Sequence, residues 1–385
     1  MFLLKLVFRN AFRHKLRAFL TILGITVALT AFGLMRTILD AWYAGVEATA
    51  ANRLVTRNAI SLIFPLPQSY GEKIRAVPGV IKVCPGNWFG GVYIDEKNFF
   101  PNFAVEPRSY LELYPELLVP EDQKTAFFRD RKGALAGRKL IKRFGWKIGD
   151  NITLKGTIFP GNWELAIRGV YKGARPDTDE TNLIFHWDYL DESLRKTAPS
   201  RAGQVGFFML GVDDPSRAAE IARDVDARFK NSQAETLTET EKAFVMGFIS
   251  MSEAILMAIR VVSYLVIGII LAVAANTMAM SVRERTGEFA VLKTLGFKGP
   301  AVASLVLGES LVVSLAGCLL GVAALFPLAA MVSKQLAQYF PIFRVSGETV
   351  AMSLGAGVFV GLAAAVIPAW RVTRIRIAEG LRRIG

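Results

Sequence analysis

Glu284 and Glu288 stand four residues apart, and Arg285 stands three before Glu288. On a helix this spacing gathers charges of both signs on one face. Phe289, Leu292 and Leu295 add an apolar edge, and Gly296 is the residue type that closes helices. Such a surface binds by ion pairs and apolar contact and makes or breaks no bonds. An amphipathic helix resting on a membrane carries the same pattern, and the residues leave both uses open. Groups for bond-making are scarce: 2 cysteines (Cys84, Cys318) and 2 histidines (His14, His186). The sequence contains no Gly-x-Ser-x-Gly, no His-Glu-x-x-His and no zinc-type ligand cluster. Asp177, Asp179 and Glu180 offer carboxylates for Ca²⁺, but lack the spacing and glycine of an EF-hand and read as a solvated turn. No catalytic residue and no metal ligand is assigned.

What must position the charged stretch is apolar. The chain is 52% hydrophobic, too much for an ordinary soluble domain. Runs of spanning length, which needs roughly 20 residues, occur near residues 18–38, 254–280, 301–331 and 349–370. The charged stretch at 283–298 is the short elbow between the second and third. The net charge of +13 gathers beside the runs: Lys5, Arg9, Arg13, Lys15 and Arg17 before the first, Arg283, Arg285, Lys293 and Lys298 at the elbow, and Arg371, Arg374, Arg376, Arg382 and Arg383 after the last. Lys and Arg in short flanks mark the cytoplasmic side. Four spans with both termini inside follow, in an inner (cytoplasmic) membrane, with residues 41–245 and the loop 334–348 outside. This placement of charge argues against nucleic-acid binding.

Residues 1–17 resemble the charged start of a signal peptide, but the following run is too long for one and no cleavage site follows it. The period predicts one amphipathic helix, with Lys5, Arg9, Arg13 and Arg17 as a basic stripe toward anionic headgroups of the lipid membrane. Gly24 and Gly33 in the first span suit close helix packing. Arg36 and Asp40 sit a turn apart at its outer end, where they can pair.

The outer segment reads as an α+β domain. Strands are expected at 58–64, 80–83, 90–94, 103–106 and 205–212, with a hairpin from 151–159 and 164–171. Helices are expected at 70–77, 109–113, 138–144 and 217–229. Residues 105–200 read as a lobe inserted into a porter-like lobe. Trp88, Phe89, Phe99 and Phe100 read as core, the alternative being an apolar binding surface. From Glu235 the chain is read as helical without a breaker into the second span, so that 246–282 forms a rigid stalk and span. The fold class is thus four transmembrane helices with a large α+β domain between the first and second. Inside the third span stands Glu309. An ionisable group in lipid is costly and marks function or a polar bond to a neighbouring span. Pro368 is expected to end or kink the fourth span.

The run Arg283–Glu284–Arg285–Thr286–Gly287–Glu288, followed by Val291–Leu292–Lys293–Thr294–Leu295–Gly296, resembles the signature of the MacB/FtsX-type permease family, the membrane component of mechanotransmitting ABC systems. Pro78–Gly79–Val80, Val105–Glu106–Pro107, Gly137–Arg138–Lys139–Leu140 and Ile148–Gly149–Asp150–Asn151–Ile152 are similar to its outer domain. Ile367–Pro368–Ala369–Trp370–Arg371 and Ala378–Glu379–Gly380–Leu381–Arg382 are similar to its C-terminal end. The resemblance implies that Arg283, Glu284, Arg285, Gly287, Glu288, Leu292, Leu295 and Gly296 form a coupling helix that docks on an ABC ATPase. It includes an acidic residue near Glu309, and implies a dimer with a second copy or a paralogue. No Gly-x-x-x-x-Gly-Lys-Ser/Thr occurs. ATP and Mg²⁺ are therefore expected on a partner ATPase subunit, with no cofactor bound by this chain. This departs from family exporters with a fused ATPase domain. The expected function is export of substrates from the periplasm or outer leaflet, by way of a periplasmic adaptor and an outer-membrane duct. Alternatives are extraction of lipoproteins or lipids, and regulation of a cell-wall hydrolase, a branch whose outer domain is typically smaller. A membrane-anchored enzyme or sensor lacks the catalytic groups it would need.

Overall fold

The computed structural model describes residues 2–47, 49–336, 340 and 342–375, with the side chains of these from residue 6 on, except that of Glu47. The chain opens with α1 (Phe2–Ala11) and α2 (Lys15–Glu47). A mixed region follows: β1 (Arg53–Asn58), β2 (Leu66–Pro67), α3 (Tyr70–Arg75), β3 (Val80–Trp88), β4 (Val92–Tyr93), β5 (Asn102–Val105), α4 (Pro107–Leu113), β6 (Leu117–Leu118), α5 (Glu121–Arg129), β7 (Gly133–Gly137), α6 (Arg138–Phe144), β8 (Asn151–Gly156), β9 (Gly161–Gly173), β10 (Leu183–His186), α7 (Trp187–Thr197), β11 (Gln204–Val205), β12 (Phe207–Val212), α8 (Ala218–Phe229) and β13 (Thr236–Thr240). Five helices complete it: α9 (Glu241–Ser250), α10 (Glu253–Glu284), α11 (Thr286–Thr294), α12 (Gly299–Leu336) and α13 (Gly347–Thr373). The chain divides into two units, one built from the long helices and the other from Tyr43–Met251.

In the first unit α2, α10, α12 and α13 are long and apolar enough to cross a membrane. With no water to be expelled between helices in lipid, close backbone approach must hold them. Gly317 and Gly321 of α12 provide it. A Cβ at Gly317 would sit 2.8 Å from the Cβ of Ile25, and one at Gly321 would sit 3.0 Å from the Thr26 carbonyl. The gap so closed lets the Thr26 and Thr30 hydroxyls donate to the Gly317 and Gly321 carbonyls, each at 3.1 Å. At the far end of α2, Arg36 donates to Glu348 at 2.9 Å and lies 3.5 Å from Asp40. Asp40 in turn accepts from the Ser346 and Thr349 hydroxyls at the start of α13. Pro368 lies inside α13, which runs on to Thr373 instead of ending there.

The second unit is built on one large sheet with helices on both faces, beside a two-stranded sheet of β2 and β11. Strand order in the eleven-stranded sheet is β13-β1-β12-β3-β5-β10-β7-β9-β8-β4, with β6 added beside β9. Side chains alternate between two cores, as the pleat requires. Leu54, Val83, Ala104, Ala134, Phe185 and Leu210 enter the core under α3, α6, α7 and α8. Val55, Cys84, Val105, Leu135, Ile184 and Met209 enter the core with α4 and α5. The segment expected as an inserted lobe supplies β7 to β10, which extend this same sheet through the parallel pairing of β10 with β5.

Three local expectations fail. The strand expected at 58–64 lies earlier, as β1, and Ile60, Ile63 and Phe64 are exposed beyond its end. The helix expected from Glu235 is first a strand: Thr236–Thr240 pairs with β1 from Leu54↔Thr240 to Asn58↔Thr236. The stalk is also interrupted, because α9 ends at Ser250 and α10 starts at Glu253. Gly247, Ser250 and Ser252 are weak helix formers, and the Ser252 carbonyl starts α10 by accepting from Ile255 and Leu256. Of the aromatic residues, Phe89 and Phe100 are buried, whereas Trp88 and Phe99 are partly exposed beside each other.

Candidate functional site

The elbow is two pieces, not one helix over 283–298. The second span, α10, runs through Arg283 to Glu284; Arg285 turns the chain; α11 covers Thr286–Thr294. Gly296, at φ +94°, ends α11. Its N–H bonds to the Lys293 carbonyl, and the Phe297 N–H bonds to that of Leu292, the paired closure that a left-handed glycine permits.

Burial sorts the expected site residues. Ala290 is buried, and Val282, Phe289 and the partly buried Leu292 pack against Val302, Val306, Ala365, Ala369 and Val372 of α12 and α13. Leu292 therefore anchors the elbow instead of facing outward. Arg283, Glu284, Glu288, Val291 and Leu295 are exposed, Leu295 at 71%. Gly287 is half-buried and Gly296 exposed.

Arg285 does not join the exposed set. Its side chain is 8% exposed and that of Glu309 is 5% exposed. One guanidinium nitrogen donates to both Glu309 oxygens, at 2.9 and 2.7 Å, while Nε donates to Glu288 at 3.0 Å. The guanidinium also lies 5.1 Å from the centre of the Phe289 ring. Glu309 thus has a charged partner inside the protein. Spacing could not reveal the pair, since its members lie 24 residues apart on two helices. Glu288 is held below the usual carboxylate range: burial opposes this, and Arg285 and Arg13 outweigh it.

The basic stripe is divided. α1 ends at Ala11, so Arg13 lies in the link and Arg17 in α2. Arg13 pairs with Glu288, and Arg17 grips Glu284 with two hydrogen bonds of 2.8 and 2.7 Å. These two charges are spent on the elbow and not on headgroups. Arg9 is exposed on α1, beside the exposed Phe8 and Phe12. The side chain of Lys5 lies outside the described residues, as do Arg376, Arg382 and Arg383. On the other flank, Lys293 donates to the Thr373 and Ile375 carbonyls at 3.0 and 2.9 Å, tying α11 to the end of α13.

The acidic cluster of the outer unit is internally engaged. Asp179 accepts from the Thr181 backbone and hydroxyl, Glu180 accepts from the Gly173 backbone and pairs with Arg138, and Asp177 pairs with Arg175. Among the described residues no group of three or more His, Cys, Asp or Glu could hold a metal ion.

Residues 18–228 match the MacB-like periplasmic core domain, and residues 260–377 match the FtsX-like permease C-terminal domain. The chain is 24% identical over 410 aligned positions to the uncharacterized ABC transporter permease MJ1507 of Methanocaldococcus jannaschii, covering 97% of this chain and 96% of that protein. It is 24% identical over 269 positions to the ABC transporter permease protein Rv0987 of Mycobacterium tuberculosis, covering 67% of this chain and 30% of that one. A stretch of 107 positions is 33% identical to the macrolide export ATP-binding/permease protein MacB of Bdellovibrio bacteriovorus, covering 28% of this chain and 16% of that protein.

Proposed function

Because this chain belongs to the MacB/FtsX-type family of ABC transporter permeases, we propose that it is the permease subunit of an ATP-driven mechanotransmitting system. A separate ATPase subunit binds ATP and Mg²⁺ and docks on Arg283, Glu284, Glu288, Val291, Leu295 and Gly296. The permease itself carries out no bond chemistry. Its basic flanks support an elbow and termini on the cytoplasmic side of an inner membrane, with the sheet-bearing unit in the periplasm. It works as a dimer.

The observation that carries this reading is the division of the elbow into two faces. One face offers Arg283, Val291 and the exposed Leu295; Glu284 at its rim is held by Arg17 of α2, and the opposite face is fixed to α12 and α13 by the Arg285–Glu309 pair and a buried core. A push on the open face therefore displaces spans instead of bending a loop. The spans lead on to neighbouring strands: α2 precedes β1, α10 follows β13 and α9, and β1 pairs with β13. Displacement of the two spans thus loads one edge of the sheet. Export of a substrate from the periplasm or outer leaflet fits this arrangement, and the printed name of the MacB relative supports it.

Pull-down of the tagged full chain from its native membrane in mild detergent tests the reading. An ABC ATPase should co-purify, and its absence would overturn the proposal. A second captured protein separates the branches: an adaptor for export, a lipoprotein for extraction, a hydrolase for wall remodelling.

A further inference from the structure

α1 packs on the head of α12 at the level of the elbow. Val7 is buried there, and a Cβ placed on Gly308 would meet its side chain at 3.3 Å. One residue further along α12, Glu309 sits between two elements at once. It holds Arg285 of the elbow through both oxygens, at 2.9 and 2.7 Å, and it stands next to the Gly308 contact with Val7 of α1. Arg285 continues to Glu288, and Glu288 continues to Arg13. Glu309, Arg285, Glu288 and Arg13 thus form a polar chain from the head of α12 through the elbow to the link after α1, and the packing of Val7 on Gly308 closes the circuit back to α12. The Glu309–Arg285 bond at its centre is buried and the Arg13–Glu288 bond at its rim is exposed. A buried pair that loses one partner leaves a charge without water or counter-ion, whereas an exposed pair contributes little. The register of the circuit is therefore set at Glu309.

We propose that Glu309 is a positioning residue that locks the elbow, the head of α12 and α1 into one body, making α1 a second arm of the elbow. Its part in coupling rests on the proposed docking of an ATPase; the locked body itself does not. Arg285, although part of the charged elbow motif, belongs to this lock and not to the docking face.

Hydrogen–deuterium exchange on the full-length permease alone, in detergent or nanodiscs, tests the lock without any ATPase. E309Q should speed exchange of the peptides covering residues 286–294 and 2–11 together, by about tenfold or more, the scale expected when a buried pair is broken. R283Q, at an exposed position of the same motif, should change neither. Wild-type protection of 286–294 in E309Q would overturn the proposal; faster exchange there without faster exchange in α1 would overturn the shared body. Should E309Q fail to fold, R285M/E309L replaces the pair by apolar groups of similar volume, a change that buried pairs commonly tolerate. Its Tm should stay near wild type while α1 still exchanges faster, and wild-type protection of α1 would overturn the proposal. In the purified permease–ATPase complex, E309Q should retain the bound ATPase and lose the ATP-dependent displacement of a label on the outer unit. Failure of the ATPase to bind the wild-type chain would contradict the proposed function and leave the exchange result standing.

Discussion

Arg53, the first residue of β1, donates from Nε to Glu241, the first residue of α9, at 2.7 Å. The same guanidinium pairs with Glu116 at 2.8 Å and donates to the Leu113 carbonyl, and it lies 4.1 Å from the centre of the Tyr114 ring. Tyr114 completes the cluster by donating to Glu241 at 2.8 Å. Burial opposes the Arg53 charge, but Glu241 and Glu116 outweigh it and hold the guanidinium above its ordinary range. The bond ties the strand that follows the first span to the helix that precedes the second.

Replacing Arg53 by Met leaves Glu241 and Glu116 without their cation at a site where the arginine is 3% exposed. Loss of one partner from a buried pair costs about 3–5 kcal/mol. R53M should lower the Tm of the full chain and speed exchange in β1 and β13. E239Q, which removes the more exposed bond to Arg57, should have a much smaller effect, within about 1 kcal/mol.

His186 makes the outer unit sensitive to acid. Its Nε2 donates to the Phe127 carbonyl at 2.8 Å, and burial lowers its pKa. In the unfolded chain the imidazole takes up a proton near pH 6.5. The folded chain resists that proton, so the unfolded state binds more protons as pH falls below this value. Stability is fully present above it and is lost as pH drops through the lowered native pKa. Thermal unfolding between about pH 8 and pH 5 should show this fall, and H186Q should flatten it.

The contact of α2 with α12 depends on two missing side chains. G317V forces a β-branched group against the Ile22 carbonyl, which a Cβ would approach to 2.9 Å. Overpacking of this kind costs about 1–3 kcal/mol, and it should also part the Thr26 bond. Thermal unfolding in detergent should show a lower Tm for G317V, and a smaller drop for T26V, which loses only the hydroxyl.

The spans, the elbow and the α+β class were legible because each rests on local signals: long apolar runs, a glycine stop and turn residues. Four features were not. β7 is Gly133–Gly137, and Ala134, Leu135 and Ala136 are all fully buried, so no alternation marks it. Thr236–Thr240 carries three β-branched threonines that favour a strand, and β1 offers it a partner; its short polar sequence merges with the helix that follows. From sequence, Arg285 is one charge among several on the elbow, and Glu309 is an acid with a function or a bond to a neighbouring span but no named partner. Their bond depends on the packing of α12 against the elbow, and no spacing rule carries that. Arg13 and Arg17 likewise looked like a lipid-facing stripe until the break after Ala11 turned them toward Glu288 and Glu284.

In the proposed function the open face of the elbow receives an ATPase. A photo-crosslinking amino acid placed at Leu295, and separately at Val291, in the full chain in its native membrane tests it most directly. Leu319, exposed on α12 within the span, serves as the control. Adducts containing the ATPase at 291 and 295, with none at 319, are the predicted result. Labelling of the ATPase from 319 and not from 291 or 295, or no ATPase adduct from any position, would contradict the account.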